Sequence, residues 1–162
     1  MPLARRRLLE LTGLTGLAAL IGCAPESEAA PNFPFKLTDA QWKARLTPAQ
    51  YAILRQEGTE RPYSSALNRE KRRGIFACAG CTRPLFASTT KFESGTGWPS
   101  FYAPLKGAVA TRTDRSLMMT RTEVLCSRCG GHLGHVFDDG PPPTGKRYCM
   151  NGDAMTFRPA SA

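Results

Sequence analysis

The residue types best suited to chemistry in this chain are six cysteines and two histidines. Cys149 has no other cysteine at metal-ligand spacing, so it is a candidate nucleophile if a histidine meets it in the fold. Arg147, two residues earlier, would favour the reactive thiolate form. The alternative is a buried, inert cysteine that packs as a small apolar residue. The local residues alone favour neither interpretation.

Four other cysteines form two Cys-x-x-Cys pairs, Cys78 with Cys81 and Cys126 with Cys129. Each pair can direct two sulfur atoms to one point, and four thiolates suit a tetrahedral zinc ion. The spacer, residues 82–125, is longer than the usual roughly 15–20 residues. The two pairs must therefore lie on hairpin tips that meet in the fold. We predict one structural Zn²⁺ held by all four cysteines, with no open coordination position.

Three alternatives to this zinc site are open. The four cysteines of an exported protein could form two disulfides. A redox-active Cys-x-x-Cys pair would need a βαβ context, which the sequence lacks. His132 and His135 continue the three-residue spacing of the second pair and could themselves bind the metal. If the cysteines alone hold zinc, both histidines are free for a separate active site.

Two short helices are predicted before the cysteine pairs. Thr38 and Thr47 each stand three residues before a glutamine, which gives a capping box at each helix N-terminus. Leu46 would end the first helix, and Gly58 fits the position just after the second. The apolar residues of both helices are expected to pack rather than to bind a cofactor.

From Gly74 onward the sequence predicts short strands separated by turns. Strands are expected at residues 74–77, 84–86, 108–113, 117–125, 136–137, 147–150 and 154–157. Both faces of the 117–125 strand mix polar and apolar residues, with Arg121 and Glu123 on one of them. This mixture indicates that the strand lines a site.

The N-terminus carries features of a targeting segment, which we assign to residues 1–22. A basic stretch at Arg5–Arg7 precedes an apolar run about half as long as a membrane-spanning helix. The residues ending at Cys23 resemble a bacterial lipobox, which makes Cys23 the expected lipidation site, and the arginines followed by leucines resemble a twin-arginine signal. An ordinary cleaved signal with an incidental cysteine is the alternative. Residues 23–36 would be a tether and residues 37–160 the folded domain, on the periplasmic side as a membrane-anchored lipoprotein.

The formal charge of the chain is +9 at pH 7. The basic residues are scattered, and the densest cluster, Arg69–Arg73, contains Glu70. The aromatic residues alternate with glycine and proline instead of forming a stacking platform. We therefore expect no nucleic-acid partner. A basic surface would suit an anionic membrane or an acidic partner.

Several motifs together resemble the signature of the B-type methionine sulfoxide reductases, over about residues 38–159. They are Gly95-Thr96-Gly97-Trp98-Pro99-Ser100-Phe101, Arg121-Thr122-Glu123-Val124, His132-x-x-His135-Val136-Phe137 and Arg147-Tyr148-Cys149-x-Asn151. The two Cys-x-x-Cys pairs match the zinc-containing members. The resemblance implies a small, mainly β domain of twisted antiparallel sheets, Mss4-like or β-tent, with short N-terminal helices. It also implies a zinc site away from the catalytic cleft.

The activity implied by the resemblance is repair of oxidised proteins: reduction of methionine (R)-sulfoxide, in proteins or free, to methionine. By motif position, Cys149 would attack the sulfoxide sulfur. The residues that would position the oxygen and supply its proton are His132, His135 and Asn151. The residues that would bind the substrate are Trp98, Phe137 and Arg147, with the two aromatic rings receiving the methyl group.

Physical chemistry agrees with this assignment. A sulfoxide oxygen leaves poorly until it is protonated, and an imidazole titrates near working pH and can supply the proton. A thiolate is a soft nucleophile suited to sulfur. The enzyme-bound product would be the sulfenic acid of Cys149, which is reversible.

The sequence departs from the family pattern at two positions. Many members carry a recycling cysteine where this chain has Thr96, so we expect an external thiol, such as a thioredoxin-like partner, to reduce the sulfenic acid. Gly152 stands where serine is frequent, and we expect little consequence beyond local flexibility. Two rival functions are a zinc-ribbon-like binding module without catalysis and a zinc-dependent hydrolase that uses the two histidines.

Overall fold

The computed structural model describes residues 32–161. The expected targeting segment, the expected lipidation site Cys23 and most of the expected tether lie outside the described residues. Within the described part of the chain, no helix combines the length and the apolar character needed to cross a membrane.

The domain was expected to begin at residue 37, but Phe35 already packs against it. The backbone N–H of Phe35 donates to the carbonyl of Arg128 over 2.9 Å. The ring of Phe35 meets that of Trp42 edge-on at 5.8 Å, and the guanidinium groups of Arg45 and Arg128 lie over it. The last residues of the expected tether are therefore fixed against the domain by an aromatic side chain and its cationic neighbours.

In the described part of the chain, two helices precede the strands: α1 spans Asp39–Arg45 and α2 spans Pro48–Gln56. Both capping boxes are present, at Thr38 and Thr47, as the sequence predicted. The end of α2 differs from the prediction, because the left-handed residue is Glu57, with φ of 58°, and not Gly58.

Within residues 32–161, nine strands form two antiparallel sheets. The strands are β1 Gly74–Cys78, β2 Pro84–Ala87, β3 Lys91–Phe92, β4 Ser100–Phe101, β5 Val109–Asp114, β6 Arg121–Cys126, β7 His132–Phe137, β8 Arg147–Met150 and β9 Met155–Pro159. The small sheet has the order β2-β1-β9, and the large sheet has the order β3-β4-β8-β7-β6-β5. Short 3₁₀ turns occupy Ala66–Arg69, Ser88–Thr90, Ser116–Met118 and Gly152–Ala154. The prediction of a mainly β, antiparallel domain is confirmed.

The strand expected at residues 117–125 begins later, at Arg121. The side chain of Asp114 accepts a hydrogen bond from the backbone N–H of Ser116 over 2.8 Å and pairs with Arg121 at 2.6 Å. These contacts close a turn in which Met118 is left-handed and fully exposed. Met118 and Met119, which were expected to lie in the strand, therefore belong to an exposed turn.

The core joins the two sheets through stacked aromatic rings. Phe76 of β1 and Phe86 of β2 both contact Phe101 of β4, with ring centroids 4.9 and 4.4 Å apart. All three side chains are fully buried. Each such pair contributes about 0.5–1.5 kcal/mol beyond the burial of its area. The cluster therefore holds β4, and the strands that pair with it, firmly against the small sheet.

One continuous row of paired residues crosses the large sheet. Ser100 pairs with Cys149, Cys149 with His135, His135 with Glu123, and Glu123 with Arg112. Directly paired residues on neighbouring strands present their side chains to the same face. The pairing therefore brings a hydroxyl, a thiol, an imidazole, a carboxylate and a guanidinium to one face in a single line, which we call the polar row.

Candidate active site and metal centre

The two Cys-x-x-Cys pairs lie on turns with the same backbone pattern. The N–H of Thr82 donates to the carbonyl of Cys78, and the N–H of Gly130 donates to the carbonyl of Cys126, each over 2.8 Å. The residue after the second cysteine is left-handed in both turns, with φ of 63° at Thr82 and 67° at Gly130. In the first pair this left-handed residue is a threonine, and in the second it is a glycine. Two equivalent turns thus face each other.

The four sulfur atoms of these turns fit a zinc ion. They all lie within 4.8 Å of one another, and the closest pairs, Cys78 with Cys129 and Cys81 with Cys126, are 3.7 and 3.5 Å apart. Tetrahedral zinc with Zn–S bonds of about 2.3 Å requires sulfur atoms about 3.8 Å apart. A disulfide would require about 2.0 Å. The four cysteines form a structural zinc site, and neither histidine belongs to it.

Three arginines hold the carbonyl groups around this site. Arg45 of α1 donates to Gly80, Arg55 of α2 to Cys129, and Arg128 to Cys81, over 2.6, 3.2 and 3.0 Å. Four thiolates with one Zn²⁺ carry a net charge of −2, so nearby guanidinium groups stabilise the occupied site. These contacts could not be predicted from the sequence, because the arginines lie far from their partners along the chain.

A separate cleft of about 140 Å³ opens on the large sheet. Its lining comprises Thr59, Trp98, Arg121, Gly134, His135, Phe137, Cys149 and Asn151. Five of these residues were predicted from the sequence as site residues. His132 and Arg147, which were also predicted, adjoin the cleft without lining it. Thr59 was not foreseen as a site residue, and neither was the role of Arg121 beyond its place in a motif.

Cys149 is partly exposed in this cleft and is not disulfide-bonded. Its neighbour in the sheet is His135, and Arg147 lies two residues earlier on the same face of β8. The guanidinium of Arg147 lies 4.4 Å from the centre of the Phe137 ring and pairs with Asp139 at 2.8 Å. Arg147 thus fixes one aromatic wall of the cleft, and its positive charge lies near the thiol.

A bulge brings the two histidines together. Side chains three residues apart in a regular strand point to opposite faces of the sheet. The pairing of β6 with β7 shifts between Val124 and Leu125, which leaves Leu133 as an extra residue in β7. Because of this extra residue, the rings of His132 and His135 lie 5.5 Å apart, edge to face.

His132 is buried beside a buried carboxylate. Its Nδ1 lies 2.7 Å from Oε1 of Glu123, and the other oxygen of Glu123 accepts from Nε of Arg112 over 2.7 Å. Burial raises the pKa of Glu123, but the hydrogen bonds from His132 and Arg112 outweigh burial and lower it overall. Glu123 is therefore ionised and accepts the proton on Nδ1. Among the described residues, Nε2 of His132 is buried and has no hydrogen-bond partner.

His135 has a carboxylate of its own. Its Nε2 lies 2.8 Å from Oδ2 of Asp114. Burial lowers the pKa of His135, while the hydrogen bond to Asp114 opposes that effect. The hydrogen bonds that Asp114 accepts, first from the backbone of Ser116, hold its pKa well below the usual range. A neutral His135 therefore donates Nε2–H to Asp114 and keeps a free lone pair on Nδ1.

Glu60 connects two walls of the cleft. Its backbone N–H donates to Oδ1 of Asn151 over 3.0 Å, and its carbonyl accepts from the indole of Trp98 over 3.2 Å. Its carboxylate accepts the N–H groups of Gly152 and Asp153, each over 2.8 Å. Glu60 is a positioning residue that no motif indicated, because it lies 38 residues from Trp98 and more than 90 residues from Asn151, Gly152 and Asp153.

A thiol in a polar cleft, on a small antiparallel domain with a four-cysteine zinc site elsewhere, defines the class of zinc-containing thiol enzymes. Within that class, the chain belongs to the SelR domain family, because the model of this family matches residues 46–159.

Relatives of this family cover most of the chain. It is 54% identical over 123 residues to the peptide methionine sulfoxide reductase MsrB of Agrobacterium fabrum, which covers 75% of this chain and 91% of the relative. It is 54% identical over 128 residues to the protein of the same name from Leptospira interrogans, covering 78% and 98%. It is 57% identical over 123 residues to the peptide methionine sulfoxide reductase MsrB of Thiobacillus denitrificans, and this alignment covers 75% of this chain and 93% of the relative. The resemblance seen in the sequence motifs is confirmed.

Proposed function

We propose that this protein reduces methionine (R)-sulfoxide to methionine and that Cys149 is the nucleophile. The observation that carries the proposal is the polar row, which places the partly exposed thiol of Cys149 directly beside His135 in an aromatic-lined cleft. The relatives named as peptide methionine sulfoxide reductases support the same reaction.

Trp98 and Phe137 are the groups that would receive the substrate. Both rings line the cleft, and a methyl group attached to sulfur offers no hydrogen bond, so only shape and aromatic contact can bind it. Asn151 is held from both ends, since Oδ1 accepts from Glu60 and Nδ2 donates to the carbonyl of Leu133 over 3.2 Å. A fixed amide beside the thiol would orient the sulfoxide in one direction, which favours one epimer.

In the chemical step, the Cys149 thiolate attacks the sulfoxide sulfur and the oxygen passes to Cys149. The cysteine sulfur is oxidised to a sulfenic acid by two electrons and the substrate sulfur is reduced by two. Protonation of the oxygen is assigned to the two histidines. His132 is the stronger candidate for the acid, because Glu123 holds Nδ1 and fixes the orientation of the ring, and Nε2 has no other partner among the described residues.

An external thiol would complete the cycle. It attacks the sulfenic acid, releasing water and forming a mixed disulfide, and a second thiol then releases Cys149. Thr96 lies 3.7 Å from the sulfur of Cys149, where a cysteine could form an internal disulfide but threonine cannot. The other four cysteines of the described chain are held at the zinc site. A thioredoxin-like dithiol is the proposed reductant.

We further propose that the protein is exported and anchored to the membrane through lipid on Cys23. The support for this proposal is the sequence alone: the basic and apolar residues 1–22 and the lipobox-like residues that end at Cys23.

The test compares two cysteine substitutions in the full-length protein, with dithiothreitol and peptides that contain resolved R- or S-methionine sulfoxide. Cys149→Ser should lower the turnover of the R epimer by at least about 10³-fold, because the nucleophile is lost. The matched control, Cys23→Ser, should keep full activity but lose its association with membranes. Reduction of the R epimer by Cys149→Ser, or equal turnover of both epimers by the unaltered protein, would contradict the proposal.

A further inference from the structure

Three hydroxyl groups connect the sulfur of Cys149 to a backbone carbonyl. Oγ1 of Thr96 lies 3.7 Å from Sγ of Cys149 and 2.9 Å from Oγ of Ser94. Oγ of Ser94 lies 2.7 Å from Oγ of Ser100, which donates to the carbonyl of Trp98 over 3.1 Å. We call Thr96, Ser94 and Ser100 the hydroxyl relay.

The turn that carries Thr96 is fixed in place. The carbonyl of Gly97 accepts from the backbone of Tyr63 over 2.7 Å and from the side chain of Asn68 over 2.8 Å. The carbonyl of Gly95 accepts from the hydroxyl of Tyr63 over 2.6 Å. Both glycines have positive φ, 73° at Gly95 and 92° at Gly97. A turn held by three hydrogen bonds keeps the hydroxyl of Thr96 at the thiol.

The protons of the relay can be counted. It contains four contacts, and the last acceptor, the carbonyl of Trp98, cannot donate. With Cys149 as a thiol there are four protons, one from the thiol and three from the hydroxyls. Every contact is satisfied only if each group donates to the next, from Cys149 through Thr96, Ser94 and Ser100 to the carbonyl.

Loss of the thiol proton to water changes this arrangement. Three protons then remain for four contacts, and the contact with the new negative charge gains most from a donor. Only Thr96 adjoins the sulfur, so its hydroxyl turns from Ser94 to the thiolate. The cost is reduced because Oγ of Ser94 keeps a donor, the backbone N–H of Thr96 at 3.4 Å.

We propose that Thr96 is a catalytic residue whose hydroxyl reverses direction during turnover: it accepts a hydrogen bond from the Cys149 thiol and, once the thiol proton has been lost to water, donates a hydrogen bond to the thiolate. This inference deepens the proposed function and rests on Cys149 as the nucleophile. The residue that excludes an internal disulfide thereby stabilises the reactive sulfur in another way. Ser94 and Ser100 act as positioning residues, because they set the direction in which Thr96 donates.

The test measures alkylation of Cys149 by iodoacetamide at neutral pH in the full-length, zinc-loaded protein, with the Cys149 peptide followed by mass spectrometry. Thr96→Val keeps the shape of the side chain without its hydroxyl and should slow alkylation about tenfold, the effect of one hydrogen bond to a charged group. Thr96→Ser keeps the hydroxyl and should stay within about twofold of the unaltered protein. Ser94→Ala should give an intermediate loss of about threefold, because Thr96 keeps its hydroxyl but loses its support.

Zinc content and thermal unfolding of each variant provide the control for folding. Alkylation of Thr96→Val at the unaltered rate would overturn the proposal, as would a Thr96→Ser variant as slow as Thr96→Val. Failure of the reductase function looks different, since alkylation needs no substrate. If the unaltered protein reduces neither epimer while the order of alkylation rates holds, the hydroxyl relay is supported and the proposed reaction is not.

Discussion

The metal centre and the cleft use cysteine in opposite ways. At the metal centre four sulfur atoms are buried, lie close together and are enclosed by equivalent turns. In the cleft a single sulfur is partly exposed and is surrounded by a hydroxyl, an imidazole and a guanidinium. The same side chain is therefore a structural ligand or a candidate nucleophile according to the number of its sulfur neighbours and its access to solvent.

The metal centre and the cleft are also connected by the same strands. Glu123 of the polar row and Cys126 of the metal centre both belong to β6. The turn after Cys126 leads directly into β7, which carries both histidines. The metal centre thus fixes the ends of the strands that position the cleft, while its own sulfur atoms remain outside the chemistry.

The largest expected effect comes from removing a zinc ligand. Cys126→Ser should prevent folding, because a structural zinc site contributes about 10–16 kcal/mol, as much as or more than the roughly 5–15 kcal/mol that keeps a domain folded. Zinc content and circular dichroism would measure this loss. Cys149→Ser is the matched control and should bind one zinc and fold normally. A folded, zinc-free Cys126→Ser variant would show that the fold around the cleft does not depend on the metal centre.

A smaller effect is expected at Glu123, which lies on β6, the strand that the cleft shares with the metal centre. Glu123→Gln should lower kcat about 10²-fold, the usual contribution of one acid–base group, because His132 loses the carboxylate that holds Nδ1 and orients its ring. The zinc content should not change.

Glu57→Gln is the control for this substitution. Glu57 pairs with the same arginine, Arg112, at 2.6 Å but is exposed, and exposed ion pairs contribute little. The two substitutions should therefore differ strongly in kcat. Equal kcat values for the two variants would argue against a role for the buried carboxylate in the reaction.

The smallest expected effect is on stability, at Gly152 beside the cleft. A Cβ atom at this position would overlap Oγ and Cβ of Ser65. Gly152→Ser should lower the free energy of unfolding by about 1–3 kcal/mol through overpacking. Urea unfolding would measure it. In a Ser65→Gly background the loss should shrink, and strict additivity of the two changes would contradict this explanation.

The sequence predicted what local patterns encode. The capping boxes at Thr38 and Thr47 and the pairing of the four zinc cysteines depend on fixed short spacings, and the structure contains all of them. Cys149 and Trp98 came from motifs with family resemblance, and both line the cleft.

The partners of these residues could not be read from the sequence. Glu60 contacts Asn151 from far along the chain, and Asp114 reaches His135 only because β5, β6 and β7 are neighbours. The bulge at Leu133 could not be predicted either, because a leucine is also common at regularly paired strand positions. Long-range pairing and register are properties of the assembled sheet.

The polar row also determines where this chain can change in length. Its members lie on five different strands, and each reaches the cleft because its strand has the correct register. Deleting or inserting one residue within β8 would turn Cys149 to the opposite face, since successive side chains alternate. Insertions and deletions among relatives should therefore fall in connections such as residues 138–146, and strand lengths should be preserved even where side chains differ.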